Sequence, residues 1–385
     1  MSPSFRHLCS EAAIRTAIFP LVSLLWSSRV VEGRDKLLEG SSFLYGNHSN
    51  NFDPFMVNWD LPLGRCSSGV LTAEYMQRGP VAAAFRGIGL LSTRKRVPEP
   101  FLVGRILRLL RDGRNVLIYP EGGRRWDGRP GRWIESTAKL FSRSAFPVRP
   151  VVTHGSYVAW PRWADWPRPA RIRVHVLDAV NFDGCTTTEE AVARLSAPIA
   201  IDENEPPDEV RPRRAYRPAD GIHRLLYRDP ETGENDGLFT DDGYRIRNRA
   251  GTIDWTMHPD SRIEDRAGGR MLLTGDLYRE IRSLPLDTPP GHPIVENRVE
   301  ARRAAALPLE PAVRALASLY PDHVRVDTPS GITEFPLEDV LFTGIERNYK
   351  LQLTLRNEIV ELAFTGSGSA LQWDDTINRL KTAPN

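Results

Sequence analysis

The sequence predicts an α/β fold with a mainly parallel or mixed sheet and covering helices over its first half. A small β unit and a β-barrel-like domain closed by a C-terminal helix are expected to follow. Three observations carry this. From residue 42 to about 200, short apolar β-rich runs alternate with helical patterns, as strand-helix-strand units require. Over 202–209 the composition turns acidic and proline-containing, which reads as a linker. Beyond it turn residues dominate until 366–368, after which Ala370, Trp373, Ile377 and Leu380 recur at the three- and four-residue spacing of one buried helix face. These signals place domains at 1–204, 205–268 and 269–385.

In chain order, an apolar N-terminal stretch over 12–26 is broken by Pro20 and Arg15. It reads as too short and interrupted to span a bilayer, which takes roughly 20 apolar residues. Two readings stay open: a helix in the membrane interface, or one packed on the domain. Strands are predicted over 42–45, 69–72, 89–93, 116–119, 148–153 and 171–177, with helices over 54–59, 79–85, 98–111 and 134–144. Sites in open sheets of this kind form at strand ends. A net charge of +2 singles out no class of partner. Cys9, Cys66 and Cys185 form no framework, so a reducing compartment is expected. The eight histidines show no metal-ligand spacing. No Gly-X-Ser-X-Gly elbow occurs and no lysine follows a glycine, which argues against a serine hydrolase and a phosphate-loop nucleotidase.

Two stretches carry chemistry. Gly46-Asn47-His48-Ser49-Asn50-Asn51-Phe52-Asp53-Pro54 follows a predicted strand, with Asp53 and Pro54 expected as helix N-cap and first turn. From the intervening loop, His48 and Asp53 can converge. A carboxylate on Nδ1 would fix the tautomer and leave Nε2 to take a proton; taken alone, the same spacing is also common in structural roles. Tyr119-Pro120-Glu121-Gly122-Gly123-Arg124-Arg125 closes another strand in a sharp bend from which Glu121 and Arg124 project.

These residues, over about 10–200, resemble the glycerolphosphate and lysophosphatidic acid acyltransferase family, which is marked by four ordered blocks. Asn47, His48 and Asp53 match the first. Gly89 to Arg94 matches the second one position short, so that Lys95 or Arg96 could stand for Arg94. The run from Tyr119 to Arg124 matches the third, with Gly123 for the usual threonine and Arg125 for serine. Pro147-Val148-Arg149-Pro150 matches the fourth. The resemblance implies an O-acyltransferase moving a fatty acyl group from acyl-CoA or acyl carrier protein to a hydroxyl of a lysophosphatidic acid-like acceptor. His48 would be the general base and Asp53 its orienter, with Glu121, Gly122, Arg124 and Arg94 binding substrate. No metal, cofactor or nucleic acid is expected, and the place implied is peripheral, on the cytoplasmic face of a membrane. The alternatives are a glycerol-3-phosphate or other polyol or lysolipid acyltransferase, and a non-catalytic lipid-binding protein. Arg125 is expected to enlarge the positive charge at the phosphate end.

Three further expectations concern the remainder. Trp160, Trp163 and Trp166, interleaved with Arg162 and Arg168, either meet lipid headgroups or fold over the sheet edge. Over 227–257, two turns resemble the knuckles of a zinc ribbon whose ligand places hold Asp229, Thr232, Arg247 and Ala250, a set unable to build a thiolate site. Over 269–385, strands at 324–327, 332–335, 339–346, 351–355 and 358–364, a run near 270–274 and the terminal helix resemble a pleckstrin-homology domain, with Trp373 in its core.

Overall fold

Phe43 and Tyr45 pack into one apolar cluster and Leu44 into another on the opposite face, as a central strand of a doubly covered sheet demands. They belong to β2 in the computed structural model, which describes residues 4–72, 76, 79–93, 100–286, 290–303, 311–356 and 358–382. The chain forms two units, Met1–Arg162 with Pro167–Ala215, and Trp163–Trp166 with Tyr216–Asn385.

The first unit runs α1 (Phe5–Leu25), β1 (Trp26–Glu32), α2 (Arg34–Glu39), β2 (Phe43–Gly46), α3 (Asp53–Val57), β3 (Ser68–Thr72), α4 (Pro80–Gly87) and β4 (Leu90–Thr93). It continues with α5 (Pro100–Arg111), β5 (Val116–Ile118), α6 (Glu135–Ser142), β6 (Val148–His154), α7 (Ser156–Ala159), β7 (Ala170–Val176) and α8 (Thr188–Ser196). Its seven strands lie in the order β1-β7-β6-β2-β5-β3-β4. All pairs are parallel except β6 with β7, so the sheet is mixed. β2 sits at its centre, so the loop that leaves β2 starts mid-sheet, at a strand's carboxyl end. Gly46 is needed there: a Cβ would lie 2.4 Å from the Val151 carbonyl oxygen of β6.

Two expectations are corrected. The N-terminal stretch is one unbroken helix, Pro20 included, and of the described residues it alone is long and apolar enough to cross a membrane by length and composition. Its first turns dock through buried Glu11, which accepts from Arg15 and from the Gly64 N–H at 2.8 Å. The acidic segment is also no linker. Glu203, Asn204 and Val210 are buried, and the first unit runs on to Ala215.

The second unit opens with a five-stranded antiparallel sheet, β8 (Leu238–Phe239), β9 (Arg245–Asn248), β10 (Asp254–Met257), β11 (Arg262–Asp265) and β12 (Arg270–Leu273), followed by α9 (Thr274–Ser283). Within it, the Asp229 carboxylate accepts from the Glu231 and Thr232 N–H groups and from the Asn248 amide at 2.9 Å. Asn248 in turn accepts from the Thr252 and Ile253 N–H groups. The two knuckle-like turns are thus joined by Asp229 and Asn248, while Arg247 turns to Asp241.

A second antiparallel sheet follows, of β13 (Val295–Arg303), β14 (Val313–Leu319), β15 (His323–Thr328), β16 (Gly331–Pro336), β17 (Val340–Glu346), β18 (Lys350–Leu355) and β19 (Ile359–Phe364), then α10 (Ala370–Thr382). Its order is β16-β15-β14-β13-β19-β18-β17. The strands that precede the predicted ones in this sheet are β13 and β14; the run 270–274 does not join it, since Arg270–Leu273 forms the edge strand β12 of the smaller sheet. Trp373 is fully buried and its Nε1–H donates to Asn297 Oδ1 at 2.8 Å. Trp163 is also fully buried in this unit, whereas Trp166 is 45% exposed. Trp163 therefore cannot meet a headgroup layer.

Candidate active site

After β2 the chain leaves the sheet through Asn47, whose side chain behaves as one more strand residue. Its amide donates to the Thr153 carbonyl at 2.8 Å and its oxygen accepts the Thr153 N–H at 2.9 Å. The next residue, His48, is thereby set at the rim of the sheet. The loop then folds back on Asp53, whose Oδ2 lies 2.9 Å from His48 Nδ1 and accepts the N–H groups of Ser49 at 2.9 Å and Asn50 at 3.0 Å. Ser156 on α7 donates its hydroxyl to Oδ1. Asp53 was expected to cap the following helix. It is instead the first residue of a five-residue helix, with Phe52 at the N-cap, and its carboxylate points back into the loop.

These partners determine the state of the pair. The Asp53 side chain is fully buried with every contact a donor, while 18% of the His48 side chain remains exposed. Burial lowers the His48 pKa; the Arg124 charge acts in the same sense, while Asp53 and Glu121 oppose it. The ring is therefore neutral near pH 7, with Nδ1 held as the protonated nitrogen and Nε2 left as the acceptor. Tyr119 stacks on the imidazole with centroids 4.0 Å apart and planes 15° from parallel, which fixes the ring plane.

The second loop docks on the first: the Arg125 N–H donates to the His48 carbonyl at 2.7 Å. The bend is made at Gly122, at φ +68°, where a Cβ would lie 2.5 Å from Ile134. Arg124 is held beside His48, its carbonyl accepting from Arg162 Nη1 at 2.9 Å, and the Arg162 guanidinium lies over Trp126 at 4.3 Å. Arg94, with Lys95 and Arg96, lies outside the described residues.

Arg125 does not extend the positive surface. It is buried, with Nε and Nη2 on the Glu121 carboxylate at 2.7–3.2 Å, Nη2 also on the Ile199 carbonyl at 3.0 Å, and Nη1 on Ile201 O at 3.1 Å and Glu203 Oε2 at 3.3 Å. Its charge is spent on two carboxylates. Both Glu121 oxygens are correspondingly occupied, and its side chain is 4% exposed.

Sequence reasoning placed Tyr119 in a motif without giving it a role and missed Ser156 and Glu203 as site residues. The Glu203 carboxylate accepts the Ser49 hydroxyl at 2.5 Å and the Tyr157 N–H at 3.3 Å. Burial pushes this carboxyl up to about 7 and Asp53 adds to the rise, against Arg125, Ser49 and Asn47. Nothing local in 202–209 marks Glu203, since its partner Ser49 is 154 residues away.

Residues 28–154 match the Acyltransferase family model. Two curated proteins, the 1-acyl-sn-glycerol-3-phosphate acyltransferases of Limnanthes alba and Limnanthes douglasii, are each 25% identical over 143 residues, which is 36% of this chain and 50% of theirs. The chain thus spans about half the length of the curated relatives it matches. Among solved structures, the 1-acyl-sn-glycerophosphate (LPA) acyltransferase PlsC from Thermotoga maritima aligns at a TM-score of 0.40 and 18% identity, over 50% of this chain and 75% of that one. The family match and the two curated relatives support the glycerolipid acyltransferase family. His48, Asp53, Glu121 and Arg124 fall inside the matched residues; Glu203 falls outside them.

Proposed function

We propose that the first unit transfers a fatty acyl group from an acyl thioester, of coenzyme A or acyl carrier protein, to the hydroxyl of a lysophosphatidic acid-like acceptor. The observation that carries this reading is the partly exposed His48, neutral at Nε2 and held at Nδ1 by a buried carboxylate, beside the Arg124 cation.

The chemistry follows from those positions. The acceptor hydroxyl gives its proton to Nε2 as its oxygen attacks the thioester carbonyl carbon. Asp53 stabilises the imidazolium that forms. The tetrahedral intermediate collapses with cleavage of the C–S bond, and the leaving thiolate takes the proton back from Nε2, so no acyl-enzyme is needed. Arg124, with a cation from 94–96, binds the acceptor phosphate and fixes the distance from phosphate to hydroxyl. The work is done at a membrane surface on the cytoplasmic face, with α1 as the contact: Phe5 is 83% and Leu24 80% exposed. Within the second unit, 269–385 is a pleckstrin-homology-like module for packing, partner or membrane contact. The seven-strand order and closing helix support that reading.

The test is to incubate the purified chain with mixed acyl thioesters and a panel of phosphorylated and neutral acceptors, following free thiol and product mass. Thiol release that depends on a phosphorylated lysolipid is expected. Release with none of the acceptors, or only with water, overturns the proposal.

A further inference from the structure

We infer that Glu203 is a positioning residue for the His48–Asp53 pair, and that Arg125, the counter-charge it shares with Glu121, holds this cluster together and is not an acceptor ligand. The inference rests on the reading of His48 as the base. It concerns a residue outside the family match and outside the catalytic blocks of the sequence.

Two short segments each touch both buried carboxylates. Ser49 gives its N–H to Asp53 and its hydroxyl to Glu203. Ser156 gives its hydroxyl to Asp53, while the next residue, Tyr157, gives its N–H to Glu203. Asp53 is thus gripped between the histidine loop and α7, and the position of each is referred to one further carboxylate. Glu203 is itself fixed by its backbone N–H on the Gly128 carbonyl at 2.8 Å and by Arg125. Arg125 in turn ties the strap at Ile199 and Ile201 to Glu121 on the second loop, and donates its own N–H to the carbonyl of His48.

The energetics exclude a decorative role. Burying a carboxylate is unfavourable unless its lone pairs are met, and removing one partner leaves the other charge uncompensated. Here Arg125 has its side-chain nitrogens committed to two carboxylates and two carbonyls, so it has no evident capacity to bind a phosphate. Glu121 is turned to Arg125 through both oxygens and its side chain is only 4% exposed, so it is poorly placed to meet an acceptor hydroxyl. What the cluster can do is hold Asp53, and through it the tautomer and direction of His48. An ångström of slack in such a pair lowers turnover by up to about a hundredfold without changing what is bound.

The experiment uses the full chain with Glu203→Gln, which keeps the shape and removes the charge, and with Ser49→Ala, which removes one of the links. Two readouts are taken: kcat and KM for donor and acceptor, and the ring ¹⁵N signals of His48 by NMR, which need no turnover. The expected result for Glu203→Gln is a fall in kcat of roughly tenfold to a hundredfold with both KM values within about twofold, and loss of the single Nδ1–H tautomer signature. Ser49→Ala should move both readouts the same way by less, and decides the matter if Glu203→Gln does not fold. An unchanged His48 spectrum with unchanged kcat overturns the inference. So does a selective rise in acceptor KM with an unchanged spectrum, which would make Glu203 or its partners a binding group. If the unaltered protein transfers no acyl group, the proposed function fails, and the His48 spectrum still decides the role of Glu203.

Discussion

Each unit buries a carboxylate whose pKa is driven upward mainly by burial, and the two are used differently. In the first unit Glu203, pushed up to about 7, belongs to a network that ends on the partly exposed ring of His48. In the second, Asp375 on α10, pushed up to about 6, accepts the hydroxyls of Tyr227 at 3.0 Å and Tyr278 at 2.7 Å and meets Arg282 at 3.2 Å. That network joins two buried tyrosine hydroxyls to the half-exposed guanidinium of Arg282 and fastens the terminal helix to α9 and to the segment carrying Tyr227. A buried charge is therefore not in itself a mark of a catalytic site. What distinguishes the two is the chemistry of the group at the solvent end: the neutral imidazole of His48 can take up a proton, whereas the guanidinium of Arg282 cannot.

The contrast breaks most sharply if the two kinds of perturbation are not separable. His48→Ala should lower acyl transfer by about 10²–10⁴-fold while the unfolding of both units, followed by calorimetry, stays where it was. Near-normal turnover in the folded variant would remove the first unit's claim to be catalytic through His48. Conversely, Trp373→Ala should destabilise the second unit by about 3–5 kcal/mol in denaturant titration, because the ring is fully buried and donates to Asn297. Under conditions where the unit remains folded, turnover should be unchanged.

A finer division comes from Asp375→Ala, which strands two buried tyrosine hydroxyls and should destabilise by about 2–4 kcal/mol. Its pH signature is specific. An acid whose folded pKa is raised contributes stability that is fully present below its unfolded pKa, near 4, and is lost as pH rises through about 6. That part of the slope should vanish in the variant, as seen in unfolding midpoints between pH 4 and 7. The smallest effect belongs to Arg124→Ala: loss of charge-assisted contacts of about 1.5–3 kcal/mol should raise KM for a phosphorylated acceptor and leave the donor KM alone. An equal rise for both would detach Arg124 from the phosphate.

The sequence made the central sheet legible in two ways: β2 and β5 are continuous apolar runs, as strands buried on both faces are, while β7 alternates Ile172, Val174 and Val176 with polar residues. β1 went unread since Ser27, Ser28 and Arg29 interrupt it, and its pairing with β7 is fixed only in three dimensions. α8 carried a readable sign, the capping box of Thr187 and Glu190. β13 was hidden because two of its buried positions are Asn297 and Ala301, which dilute the alternation. In the site, His48 and Asp53 were legible because the four loop residues between them suffice to bring them together. Arg125 was misread for the opposite reason. Charge counting places a cation at the surface unless its partners are known, and three of them, Ile199, Ile201 and Glu203, lie 74 to 78 residues on.

Trp163–Trp166 lies between α7 and β7 in the chain yet groups with the second unit. There the Trp163 carbonyl and the Asp165 carboxylate both accept from Arg224, 59 to 61 residues later. On a ribosome adding about 5–20 residues per second, Trp163 emerges roughly 3 to 12 seconds before the guanidinium that secures it. For that interval a large aromatic side chain has no home. Premature termination anywhere before Arg224 would leave it so permanently, and a gene split after Ala215 would leave the second half without Trp163–Trp166, which the first half would carry.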